Sequence, residues 1–191
     1  MSYRDYLDKD LSRKVAGEHG ELIANLCLKD FLKGNEYMLH NILLPLKDGT
    51  TTELDNVLIS HRGIFVLEIK RWAGIIRGKD EDKKWTQIKP DVTREIHNPV
   101  LQNKAHAEIL DKFFNHAYKV ENMVIFLNTT DLEEVQSNHA CKVAYFGDFY
   151  YEHKEYLPDE ELVKIYQTLK PFVANLEEKE EHIASLKKKY H

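Results

Sequence analysis

The chain has 191 residues, enough for a sizeable hydrophobic core, and we expect one domain over residues 1–191. With 42% hydrophobic and 31% charged residues, it is neither a disordered nor a low-complexity chain. Because 32 acidic residues outnumber 27 basic ones, the protein lacks the overall positive charge of many nucleic-acid-binding proteins.

The cellular location of the protein is predicted from its first residues, its apolar runs and its cysteines. The first residues are polar and charged, so no secretory signal is predicted, and no apolar run approaches the roughly 20 residues of a membrane span. Cys27 and Cys141 lie far apart without CxxC spacing. We therefore expect buried thiols in a reducing cytoplasm, and no contact with a membrane.

Periodicity and turn residues predict helices and strands in an alternating order. Asn98 is typical of an N-cap, and Pro99 of a first helical residue. The predicted elements are a helix over 5–32, strands over 37–44, 52–60, 63–70, 74–78 and 84–88, a polar loop over 89–97, a helix from 98 to about 118, strands over 122–128 and 141–146, and helices over 159–170 and 172–189. This order predicts a three-layer α/β/α domain with a central mixed sheet.

The hairpin over residues 52–70 places acids in apolar rows. Because strand side chains alternate, Asp55 shares a face with Val57 and Ile59, and Glu68 shares a face with Val66. A carboxylate in such a row is costly to bury unless its charge is compensated. The alternative is a solvated sheet face whose charges discourage edge pairing.

The register of the hairpin decides whether these acids meet. A two-residue loop at 61–62 sets Asp55 opposite Glu68 and Glu53 opposite Lys70, whereas a three-residue loop moves Asp55 off the face of Glu68. Two facing carboxylates beside a lysine favour a divalent-cation site. Oxygen ligands without a Cys or His cluster suit Mg²⁺ or Mn²⁺ rather than Zn²⁺.

A third acid, Glu18, falls on the apolar face of the first predicted helix. Glu18 either lies at the border of that face and extends into solvent, or points inward as a supporting metal ligand beside Asp55 and Glu68. Such a metal lowers the pKa of a water and polarises a phosphoryl oxygen. Lys70 either stabilises charge at that phosphorus or forms a salt bridge to Glu53 or Glu68. The predicted chemistry is phosphodiester hydrolysis.

Charge and aromatic residues around the hairpin fit a phosphate-bearing substrate. Residues 65–104 hold nine Lys or Arg against six Asp or Glu, a net of +3. Trp72 and Trp85 lie beside basic residues, and they either stack on bases or cover the sheet as core-edge side chains.

Several segments together resemble a known family. Asp55 followed by Glu68-Ile69-Lys70 resembles the D…ExK signature of the PD-(D/E)XK nucleases. Over about residues 12–130, the chain resembles the NERD, or nuclease-related, domain, in the segments GEHGE (17–21), LLPLKDGTTELDNVLISHRGIFVLEIKRWAGII (43–76), KWTQ (84–87) and NPVLQN (98–103). The resemblance implies a restriction-endonuclease-like fold with a metal-dependent nuclease site.

The same resemblance implies roles for five residues. Glu18 matches the glutamate of a helical GE motif, Asp55 the acid of T-E-I-D, and Glu68 with Lys70 the E-x-K. Gln102 matches the glutamine of N-P-x-x-Q. The implied roles are metal binding by Asp55 and Glu68, support from Glu18, water activation by Lys70, and substrate or water positioning by Gln102. The alternative for Gln102 is capping of its helix.

Two positions depart from related patterns. Asn56 stands where the family usually has histidine, and His106 stands where some related exonucleases have tyrosine in Q-x-x-x-Y. Neither change removes a proposed metal ligand.

The sequence thus predicts a cytoplasmic, Mg²⁺- or Mn²⁺-dependent nuclease that acts on DNA in processing or defence. The alternative is a nucleic-acid-binding or scaffold module that needs a helicase or another DNA-processing partner. Substrate strandedness, cleavage polarity and oligomeric state stay open, and specificity is expected in loops 89–97 and 129–140.

Overall fold

The computed structural model describes residues 27–30, 32–127, 129–175, 177–178, 181–182 and 184. The strands are β1 (Tyr37–Pro45), β2 (Thr51–Ser60), β3 (Gly63–Lys70), β4 (Gly74–Lys79), β5 (Lys84–Lys89), β6 (Val92–His97), β7 (Val120–Phe126), β8 (Thr130–Gln136) and β9 (Ala140–Lys142). The α-helices are α1 (Pro99–Phe113), α2 (Phe146–Glu152) and α3 (Asp159–Leu169), with 3₁₀ turns at Val143–Tyr145 and Lys170–Phe172. Residues 27–29 are also helical.

The strands form two mixed sheets. The larger sheet has the order β1-β2-β3-β7-β9, in which β1, β2 and β3 are antiparallel neighbours, and β7 pairs in parallel with both β3 and β9. The smaller sheet has the order β6-β5-β4-β8, with β4 and β8 parallel. The long connection through α1 joins β3 to its parallel neighbour β7, as parallel pairing requires.

Both faces of the larger sheet are covered by helices. On one face, the buried row of β2 and β3 packs with Leu110 of α1 and Leu162 of α3. On the other face, Phe65 and Leu67 pack with Phe146 of α2. Because β3 is apolar on both sides, it is the central strand, and the predicted three-layer α/β/α fold is confirmed.

Two segments predicted as loops are strands. Residues 92–97 form β6, which pairs with β5 along its length, and residues 130–136 form β8, an edge strand of the smaller sheet. Both were predicted as loops because they are polar: β6 exposes most of its side chains, and only the first residue of β8 is buried. Strands with few apolar residues give no alternation for a sequence pattern to detect.

Three further expectations were wrong in detail. Helix α1 ends at Phe113 rather than near Tyr118, because Asn115 and His116 adopt positive φ. The strand predicted over 141–146 is reduced to Ala140–Lys142, followed by a 3₁₀ turn and then by α2. Cys27 was expected to be buried and is exposed.

The predicted helix over 5–32 can be compared only at its end. Residues 27–29 are helical and a turn follows at residues 34–35, as expected from Gly34, which adopts φ +55°. The rest of that helix, with Glu18, lies outside the described residues. No helix in the described part of the chain is long and apolar enough to cross a membrane.

Candidate active site

The hairpin β2–β3 has the register that brings the two acids together. Ser60 pairs with Gly63 across a two-residue turn, and the pairing continues to Asn56 opposite Leu67. In this register the next residues along the two strands are Asp55 and Glu68. The predicted two-residue loop is therefore confirmed, and the three-residue alternative is excluded.

Asp55 lies where the regular strand pairing changes. The β2–β3 pairing ends one residue before it, at Asn56. On the other side, β1 pairs through His40 and Ile42, and Asn41 between them adopts a left-handed conformation with φ +53°. Asparagine tolerates this conformation better than most residues. Regular strand pairing is therefore interrupted on both sides of Asp55, which is half-buried.

Glu68 and Lys70 lie at the carboxyl end of β3, opposite Val124 and Phe126 of β7. The Glu68 residue is only 4% exposed. The Lys70 Nζ lies 2.5 Å from Glu68 Oε1 and 5.8 Å from the centre of the Trp72 ring. Of the two salt bridges considered for Lys70, the structure contains the one to Glu68.

Helix α1 is fixed over this end of the sheet by two buried asparagines. Asn98 Oδ1 accepts hydrogen bonds from the backbone N–H groups of Val100 and Leu101, which caps the helix. Asn103 Nδ2 donates to two backbone oxygens, those of Val66 in β3 and Met123 in β7. These bonds set the rotation and position of α1 relative to the strands that carry the acids.

The position of Gln102 follows directly from the way in which α1 is fixed. It is exposed in the first turn of α1, and its backbone N–H donates to Asn98 O. The capping role considered for the Gln102 side chain is performed by Asn98. The Gln102 amide is therefore available for contacts in front of the sheet.

One cavity of about 320 Å³ collects most of the predicted site residues. Its walls are formed by Thr51, Thr52, Glu53, Asp55, Glu68, Gln102, His106 and His182. Of the predicted site, Asp55, Glu68 and Gln102 line this cavity, and Lys70 contacts Glu68 beside it. Glu18, the fifth predicted residue, lies outside the described part of the chain.

Two histidines of the cavity were not predicted as site residues. His182 comes from the C-terminal segment and hydrogen-bonds Thr51 Oγ1 through Nδ1 at 2.7 Å. His106 lies on α1, one turn after Gln102. Burial lowers the pKa of His106; the nearby Lys70 lowers it further, while Asp55 and Glu53 oppose the shift. The i, i+4 spacing from Gln102 was the available signal for His106, but the sequence could not show which face of α1 meets the cavity.

The lining residues fit a hard divalent cation. Three carboxylates, those of Glu53, Asp55 and Glu68, face a space with no lysine or arginine among the described residues that line it, so their oxygens favour a cation. Within the described residues, no three His, Cys, Asp or Glu side chains form a complete metal site by themselves. Mg²⁺ does not need such a group, because it is commonly held by one or two carboxylates with waters and substrate phosphates.

The comparison with known families agrees with this geometry. The profile of a family described as "Nuclease-related domain" matches residues 16–127, which is more than half of the chain. The chain belongs to the nuclease-related domain family. This family is part of the PD-(D/E)XK-like nuclease superfamily, so the restriction-endonuclease-like α/β fold is shown as well.

One relative of this nuclease-related domain protein is described as uncharacterized. An uncharacterized protein of Bacillus anthracis is 27% identical over 185 residues, which cover 93% of this chain and 86% of the relative. No solved structure matches the chain significantly.

The departure from the nuclease-related domain pattern at Asn56 lies away from the cavity lining. The Asn56 side chain is buried, with Oδ1 2.6 Å from His40 Nδ1 and Nδ2 3.5 Å from Leu67 O. Because Asn56 and Asp55 are neighbours on one strand, their side chains point to opposite faces of the sheet. The asparagine therefore joins strands β1, β2 and β3 on the face away from Asp55.

Proposed function

We propose that this protein is a nuclease that hydrolyses phosphodiester bonds of DNA with Mg²⁺ or Mn²⁺. The observation that supports this most is the grouping of Asp55 and Glu68 in one cavity, with Lys70 against Glu68 and Gln102 facing them from α1. Membership of the nuclease-related domain family agrees with this chemistry.

Asp55 and Glu68 would hold the metal, and Glu18 would support it from the first predicted helix. When bound, the metal supplies Lewis-acid polarisation of the phosphoryl oxygen and acidifies a water. Lys70, only 19% exposed in its side chain, would orient the attacking water and stabilise negative charge that develops at phosphorus. Gln102 would position the phosphate or the water through its amide.

DNA as the substrate is supported by charge rather than by a base-reading motif. The positive stretch over residues 65–104 is partly neutralised within the fold, since Arg77 pairs with Glu134 and Lys84 pairs with Glu95. Exposed basic residues of this stretch, such as Lys83 and Lys104, suit contacts to a phosphate backbone, which are independent of sequence. A cytoplasmic location and a DNA-processing partner such as a helicase belong to the same proposal.

Cleavage of labelled linear, circular and single-stranded DNA with Mg²⁺, Mn²⁺ or EDTA tests the proposal. We expect metal-dependent products from the wild type and a loss of about 100-fold or more in rate for Asp55→Asn, Glu68→Gln and Lys70→Ala, as for other groups that act on the transition state. The substrate panel also reveals strandedness and cleavage polarity.

Matched variants make the result specific. Lys164→Ala and Glu160→Ala remove the same charges from the exposed surface of α3, and both should leave the rate unchanged. Equal cleavage by the wild type and by Lys70→Ala would mean that the nuclease activity does not arise at this site.

The second candidate function is a nucleic-acid-binding or scaffold module that acts only with a partner. It is favoured by the tight pairing of Glu68 with Lys70, because a carboxylate already neutralised by the protein has less need of a metal. A scaffold of this kind would show no rise in melting temperature with Mg²⁺ or Mn²⁺, whereas an occupied metal site stabilises the folded state.

A further inference from the structure

The wall of the candidate active site includes one side chain from the C-terminal part of the chain, His182. Among the described residues that line the cavity, it is the one that follows α1 in sequence. The residue is 7% exposed. It lies well beyond residues 16–127, which match the nuclease-related domain. This wall of the cavity is therefore formed outside the part of the chain that matches the family.

Two contacts fix the segment that carries His182 to the strands beside the cavity. The Ala174 N–H donates a hydrogen bond to Asn41 O in β1 at 2.9 Å. Further along the segment, His182 Nδ1 lies 2.7 Å from Thr51 Oγ1 on β2. The His182 ring is therefore held beside the row of cavity side chains that begins with Thr51.

The carboxylates lie deep in this cavity. Its volume is about 320 Å³. Ordinary small-molecule sites measure roughly 300 to 1,000 Å³, so the cavity is a small one. Glu68 is 4% exposed and Asp55 is half-buried. Because strands β2 and β3, helix α1 and His182 surround the space, a phosphodiester reaches these acids when its nucleotide extends out of a base stack into the cavity.

A single strand meets this requirement more easily than a duplex does. In a duplex each nucleotide is held by pairing and stacking, and moving it into an enclosed site breaks both. The bases of a single strand are already unpaired, so a nucleotide turns outward at a lower cost in free energy. The small cavity therefore favours a single strand over a duplex of the same sequence.

The segment beside the cavity carries negative charge that acts in the same direction. Glu177, Glu178 and Glu181 are exposed and lie within five residues before His182. Duplex DNA carries one negative charge per about 1.7 Å of its axis, and one strand carries one per about 3.4 Å. Because like charges repel, these three glutamates disfavour the approach of a duplex more strongly than that of a single strand.

We propose that the substrate of this site is single-stranded DNA, and that His182 determines this specificity by closing the cavity to a duplex. This inference rests on the proposed function and names the substrate class of the same site. In this role His182 holds the C-terminal segment against Thr51, and the metal and the attacking water belong to the residues assigned above.

The test compares kcat/KM for a single-stranded oligonucleotide with kcat/KM for the same sequence in a blunt duplex. For the wild type we expect a ratio of about 10 or more, because only the duplex bears the cost of unpairing and unstacking. His182→Ala removes the ring from the wall, so it should raise cleavage of the duplex relative to that of the single strand. The ratio should therefore fall severalfold.

Two further variants make this result specific. His97→Ala should keep the wild-type ratio, because His97 is exposed at the end of β6 and is not among the described residues that line the cavity. Thr51→Val removes the hydrogen-bond partner of His182 and keeps the ring. It should lower the ratio as His182→Ala does, and it replaces that variant if His182→Ala fails to fold.

Two outcomes overturn the proposed specificity and leave the nuclease function standing. The first is a wild type that cleaves the duplex as fast as the single strand. The second is an unchanged ratio in both His182→Ala and Thr51→Val while the wild type cleaves DNA.

Binding provides a measurement that does not depend on turnover. Fluorescence anisotropy of labelled single-stranded and duplex oligonucleotides is measured with the Asp55→Asn protein in Mg²⁺. We expect a lower Kd for the single strand, and a smaller difference between the two Kd values when His182→Ala is added. Equal Kd values for the two DNAs would contradict the specificity. A wild type that neither binds nor cleaves any DNA overturns the proposed function, and this inference with it.

Discussion

At the residue scale, the Glu68–Lys70 pair has two roles, since it stabilises the fold and both residues belong to the proposed catalytic site. The Glu68 side chain is 6% exposed and that of Lys70 19%, so each charge depends on the other for compensation. Breaking a buried pair by removing one partner leaves an uncompensated charge, which costs more than removing both.

This dependence predicts a non-additive cycle of variants. Lys70→Ala alone should destabilise the protein by roughly 3–5 kcal/mol, because the buried Glu68 side chain then loses its partner, whereas Glu68→Gln combined with Lys70→Ala should cost less than Lys70→Ala alone. Urea unfolding in EDTA measures the free energies. Additive losses in the double variant would show that the two side chains do not stabilise each other.

Some site residues were predictable from sequence for a simple physical reason. Asp55, Glu68 and Lys70 lie on one hairpin, where the two-residue alternation and a short loop fix which side chains meet. His106 was not predictable, because its place in the cavity depends on how α1 is rotated over the sheet. That rotation is set by Asn103, whose side chain bonds two strands distant in sequence.

At the element scale, α1 connects the sheet to the candidate active site through its N-cap residue, Asn98. Besides capping the helix, Asn98 has its Nδ2 2.7 to 3.1 Å from three backbone oxygens in the turn over residues 79–82. The start of α1 is therefore held by the β4–β5 turn, and the positions of Gln102 and His106 follow from this contact.

Substitutions of Asn98 should separate the cap from the turn contact. Asn98→Ala removes both and should destabilise the protein by about 2 kcal/mol or more, while Asn98→Ser keeps a capping oxygen and should cost about 1 kcal/mol less. Chemical denaturation of the two variants gives the comparison. Equal stability of the serine variant and the wild type would mean that the amide contacts with the turn contribute nothing.

The properties of single elements explain which of them the sequence patterns predicted and which they missed. The start of α1 was predicted correctly because Asn98 and Pro99 act locally, through a cap and a fixed φ. Strands β6 and β8 were missed because they are edge strands with mostly solvated side chains, so their structure depends on neighbours rather than on apolar alternation.

At the scale of the whole molecule, the buried strand β3 contributes both to the hydrophobic core and to the candidate active site. It is covered on both faces, and it carries the buried Glu68 and then Lys70 at its carboxyl end. Helix α1 supplies Gln102 and His106 from one face, so a cavity lined by acids forms where the sheet, this helix and the irregular strand pairing meet. The order of the predicted elements was enough to predict the three layers. The division of the strands into two sheets could not be predicted, because it depends on contacts between residues far apart in sequence.

Binding of a divalent cation by Asp55 and Glu68 is the claim on which the proposed activity depends most. The most direct test is the melting temperature of the wild type and of the Asp55→Asn/Glu68→Gln variant, with and without Mn²⁺. Because an ion that binds only the folded state stabilises it by about 2.7 kcal/mol at 100 times its Kd, we predict a clear Mn²⁺-dependent rise for the wild type and none for the variant. An equal rise in both proteins, or no rise in the wild type, would contradict a metal site at these two carboxylates.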